Sequence, residues 1–140
     1  AMARNLAHLE GLVCAVMDAR CGQVYNALFL AERGTLTRLT EDRAISIEDL
    51  AAELEEMQRG KSLFLVGDGA TLCYNKERLQ ALGAKLPPEP LLYQRAWGVA
   101  EVAKDLFERG ETLTAAALAP VYLRMPQAER ELKKRQAAQM

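Results

Sequence analysis

Histidine is nearly missing from the chain: His8 stands alone, with no cysteine or carboxylate cluster beside it from which a metal site could be built. It is read as a surface residue, and no His-activated nucleophile is available either. Cysteine is scarce and odd in number. Cys14, Cys21 and Cys73 show no C-x-x-C spacing, which argues against a disulfide framework and fits thiols kept reduced in a cytoplasm. Without a base partner they are expected to be core or turn residues. An excess of one charge is lacking too. The 18 basic and 19 acidic residues leave a net charge of −1, so direct, tight nucleic-acid binding is not expected. No apolar run approaches the roughly 20 residues of a membrane-spanning helix, and the start lacks the basic-then-apolar order of a signal peptide. Membrane insertion and secretion are therefore not expected.

What the chain does have is core. Half of its 140 residues are hydrophobic, enough for one domain or one lobe. At the start, Met2, Leu6 and Leu9 fall at helical spacing and Gly11 follows as a stop, so Ala1 to His8 is expected to be the end of a helix. Leu12 to Met17 is continuously apolar, as in a strand covered on both faces, and Asp18-Ala-Arg-Cys-Gly22 supplies a turn. Gln23 to Ala31 reads as the returning strand. Glu32-Arg-Gly34 is a second turn, and Thr35 to Thr40 a third strand, giving a three-stranded antiparallel meander.

Ser46, with Asp49 three residues later, opens an acidic helix whose stripe is Ile47, Leu50, Leu54 and Met57 and whose end is Gly60. Ser62 to Val66 is a short buried strand, Gly67-Asp-Gly69 a tight turn, and Thr71 to Leu82 a second helix. Ala84 to Leu86 reads as a brief strand. Pro87-Pro-Glu-Pro90 is read as a connection, because its prolines break both helix and strand. A third helix from Tyr93 to Arg109 is expected to bury Ala96, Val99, Ala100, Ala103, Leu106 and Phe107. Leu118 to Arg124 is extended, and the charged tail is expected to be exposed. The fold class is thus α/β: a meander, further short strands and helices packed on a mixed sheet, the succession of an RNase H-like lobe.

Chemistry-bearing residues are few. Asp18 and Arg20 lie at the end of a buried strand, where catalytic carboxylates often sit, although an Asp holding turn amides beside a paired Arg is the commoner arrangement. Gly67-Asp-Gly69 could let backbone amides reach a phosphate, but it lacks both the Lys-Ser/Thr ending of a P-loop and the spacing of a dinucleotide fingerprint, so a tight turn is favoured. The third helix with Trp97 reads as core or an interface before any ligand pocket. Arg130, Lys133, Lys134 and Arg135 are diluted by Glu129 and Glu131 and have no aromatic residues among them for base stacking, so they read as a solvated tail.

Two strings carry a resemblance. Leu12 to Phe29, LVCAVMDARCGQVYNALF, resembles the "DAR-x-G-[EQ]-VY" strand and hairpin of the TsaB/YeaZ family, with Asp18, Arg20, Gly22 and Tyr25 on the motif positions; Gln23 stands where glutamate is more usual. LAPVYLR, Leu118 to Arg124, with Ala128-Glu129 after it, resembles that family's closing "P-x-YLR…AE" segment through Pro120, Tyr122 and Arg124. Gly67 and Gly69 fall between them in matching order. The resemblance implies the actin-like, Hsp70 and sugar-kinase superfamily, built from two RNase H-like lobes. By this reading residues 1–10 end a helix of a missing N-terminal lobe, 11–125 are the C-terminal lobe and 126–140 a charged tail. The resemblance further implies a noncatalytic partner of a TsaD-like transferase and a TsaE-like ATPase in threonylcarbamoylation of the tRNA adenosine next to the anticodon. Homodimer and TsaD contacts would lie largely on helices of the missing lobe, and no cofactor is implied. An active nucleotide-dependent phosphotransferase or hydrolase of the same superfamily, using Asp18 as base and Gly67 to Gly69 at phosphate, is the alternative.

Overall fold

A computed structural model describes residues 1–123 and residue 136. Arg124, Ala128, Glu129, the basic residues Arg130, Lys133, Lys134 and Arg135, and the tail apart from Gln136 lie outside the described residues.

The apolar runs form the middle of a five-stranded sheet ordered β3-β2-β1-β5, with β4 also paired to β2. β1, Gly11–Asp18, is buried on both faces: Leu12, Cys14 and Val16 point to one side, Val13 and Ala15 to the other. β2, Gln23–Glu32, runs antiparallel to it, Cys14 opposite Leu28. The next turn places Arg33 and Gly34 at φ 53° and 76°. Two left-handed residues match the strand twist of a tight hairpin. β3, Thr35–Arg38, then pairs with one half of β2, and β4, Arg43–Ser46, takes the other half through Val24 and Ile45. The expected meander is present; β4 was not foreseen.

Helix α1, Ile47–Gln58, begins where the Ser46 hydroxyl accepts the Asp49 amide at 3.0 Å. Such a cap contributes about 1 kcal/mol. Leu50, Ala51 and Leu54 are buried against the sheet, and Arg59 ends the helix at φ 42°. β5, Leu63–Val66, then lies parallel to β1 with Leu65 beside Cys14. The main core, including Val16, Val24, Leu28, Leu54, Leu65 and Leu79, fills the space between this face and the helices. A smaller cluster, with Leu6, Val13, Ala31 and Val66, lies on the opposite face.

Several expectations are corrected. Met2–Leu6 is a 3-10 helix, and Gly11 is not its stop but the first residue of β1. At φ 142° a Cβ on Gly11 would stand 2.4 Å from the Ser62 carbonyl oxygen, which is why glycine occupies the site. The expected helix 71–82 is two short ones, α2 Ala70–Tyr74 and α3 Glu77–Ala81, separated where Lys76 is extended. Asn75 next to that break favours leaving the helix, since its side chain competes for backbone hydrogen bonds. The proline segment holds a short helix, α4 Glu89–Leu92, with Pro90 in the first turn, where a missing N–H removes no helical hydrogen bond. The brief strand survives as an isolated bridge between Lys85 and Phe64.

α5, Ala96–Glu108, departs most from expectation. Its apolar stripe is not buried: Val99 is 44% and Phe107 73% exposed. Gly98 is the buried residue, because the helix rests on the N-terminal 3-10 helix there, and a Cβ would come within 2.8 Å of the Ala1 carbonyl oxygen. Arg4 pairs with Asp105 across the same contact. The side of α5 with Gly98, Val102 and Asp105 thus faces the protein, while Ala96, Val99, Ala100, Ala103 and Phe107 are exposed.

Candidate functional site

Because β1 and β5 are parallel, their C-terminal ends bring together two motifs far apart in sequence: the Asp18–Gly22 hairpin and the Gly67-Asp68-Gly69 turn. Open α/β sheets often bind ligands outside such strand ends. Here the Asp18 amide donates to Asp68 Oδ1 at 3.2 Å, and the Gly69 amide to the Val16 carbonyl at 3.2 Å. The Asp18 carboxylate accepts the Arg20 amide at 2.7 Å and lies 3.3 Å from its guanidinium. Arg20, Cys21 and Gly22 are all left-handed, at φ 65°, 55° and 70°, and the Gly22 carbonyl accepts the Ile47 amide at 3.0 Å, tying the hairpin to the start of α1.

The glycine turn is packed, not open. A Cβ at Gly67 would lie 2.1 Å from the Val16 carbonyl oxygen, and one at Gly69 3.0 Å from the Asp18 nitrogen. The Gly67 amide donates to the Leu92 carbonyl at 2.7 Å and the Ala70 amide to the Gly67 carbonyl at 3.1 Å. Amides that would have to cradle a phosphate are already bonded within the protein. Glycine is required here for close approach of two strands' backbones.

Tyr25 and Tyr122 are brought to one groove of about 430 Å³ on the face of the sheet away from α1. Its floor includes Met17, Tyr25, Ala27 and Phe29, and Val121 to Leu123 form part of its wall. Arg38 lies 4.9 Å over the Phe29 ring and 2.8 Å from Asp42 at one end. Tyr122 itself is largely exposed, and Pro120 is exposed outside any helix or strand. Alternation of Tyr25, Ala27 and Phe29 along β2 was the signal for this second apolar face.

Sequence reading also missed Asn26, which is 3% exposed. Its Nδ2 donates to the Ala15 carbonyl at 3.1 Å and lies 3.3 Å from Cys14 Sγ. Its Oδ1 accepts from Arg43, which pairs with Glu53 at 2.7 Å. Burial pushes the Cys14 thiol up and the Cys73 thiol up to about 11, which leaves both protonated and poor nucleophiles near neutrality. Cys21 is exposed in the hairpin. His8 lies beside Arg4, Arg95 and Trp97 in a second, shallow depression. There Asn5, 4% exposed, donates to the Leu91 and Tyr93 carbonyls at 2.9 Å each.

No family model matches the chain. A curated protein, the tRNA threonylcarbamoyladenosine biosynthesis protein TsaB of Bacillus subtilis (strain 168), is 34% identical over 58 residues, covering 41% of this chain and 25% of that protein. Two solved structures share the fold with a TM-score of 0.62 each: YeaZ from Pseudomonas aeruginosa, at 21% identity, and an uncharacterized protein with similarity to peptidase YEAZ from Pseudomonas aeruginosa, at 22%. They cover 87% and 89% of this chain, which spans 56% of each of theirs. The sheet order, the parallel β1–β5 pair and these likenesses give the chain the RNase H-like α/β fold of the two solved structures, and over 58 residues its sequence is similar to that of a TsaB protein.

Proposed function

We propose that the chain acts as the C-terminal lobe, residues 11–125, of a TsaB-like subunit in tRNA threonylcarbamoyladenosine biosynthesis. It works by binding proteins: a TsaD-like transferase that modifies the adenosine next to the anticodon, and a TsaE-like ATPase. The supporting observation is the meshing of the two motifs at the strand ends. Asp18 is engaged by Arg20, and the amides of Gly67, Gly69 and Ala70 are bonded to carbonyls of the protein itself. Residues that would do chemistry in an active superfamily member hold the hairpin and turn together instead. One motif orders the hairpin, and the other lets β5 approach β1.

The test is reconstitution. Capture of a TsaD-like enzyme by the protein, and a rise in tRNA modification when it is added, supports the scaffold role; failure to engage any such enzyme counts against it. Calorimetric titration with ATP and magnesium separates the other reading. No heat is expected, whereas saturable binding lost in Asp18→Asn would favour a phosphotransferase or hydrolase.

A further inference from the structure

We draw no further inference here: the strongest candidate, the groove on the sheet face away from α1 with Met17, Tyr25, Ala27 and Phe29 in its floor, is an apolar face for which nothing in the structure shows what covers it.

Discussion

The Asp18 amide and the Asp68 carboxylate, 50 positions apart in the chain, are joined by a hydrogen bond of 3.2 Å that links the first hairpin to the glycine turn. Asp68→Ala removes that link from an exposed site, so a loss of about 1 kcal/mol is expected by urea denaturation. Asp68→Asn retains an acceptor and should lose less.

Two glycines near this junction should respond differently to the same substitution. At Gly67, φ is 114° and an added Cβ would stand 2.1 Å from a backbone oxygen that cannot retreat without moving β1. Gly67→Ala is expected to cost at least about 3 kcal/mol. Gly22, at φ 70°, has nothing within 4 Å, so Gly22→Ala carries only the left-handed penalty of about 1 kcal/mol. Equal losses in chemical denaturation would remove the close-approach explanation.

Buried Asn26 holds β1 and Arg43 at once. Asn26→Ala leaves the Arg43 guanidinium without its acceptor on β2 and should destabilise by about 2–3 kcal/mol. Ser46→Ala, which uncaps α1, should cost about 1 kcal/mol. Thermal melts of the two variants would rank them.

The buried thiols give stability a pH dependence on the alkaline side. Cys73 is held up to about 11 against an ordinary 9.0, chiefly by burial, and Cys14 is raised for the same reason with Cys73 adding to it. The unfolded chain therefore loses these protons first. Stability is complete below pH 9 and falls as pH rises toward 11, by about 1.4 kcal/mol per unit and thiol. Urea melts at pH 8 and pH 10 measure the slope, and Cys14→Ala with Cys73→Ala should flatten it. A thiol-reactive dye on native protein should label Cys21 quickly and the other two only on unfolding.

The meander was legible because its strands are long apolar runs separated by turn chemistry, and α1 because its cap and stripe agree. β4 was hidden: Arg43–Ser46 carries too few residues to show a period and is defined by Ile45 pairing with Val24. α4 was hidden by prolines that suit a first turn as well as a loop. The Asp18 and Gly67 to Gly69 motifs could be read as sites or as turns until the parallel β1–β5 pair placed them in contact. On α5 the period was right and the direction wrong. Periodicity says that a face is apolar, whereas Gly98 and the Arg4–Asp105 pair decide which face turns inward.

The two short strands laid end to end along β2 also bear on aggregation. Thr35–Arg38 and Arg43–Ser46 break the outer rim of the sheet into two short segments offset by a loop, with Arg38 on the first and Arg43 opening the second. A fibril grows by stacking a continuous extended segment onto a straight rim, and this rim offers a stranger only a few residues before it bends away, with a cation on each piece. At high concentration the protein should therefore resist conversion to cross-β deposits through this rim.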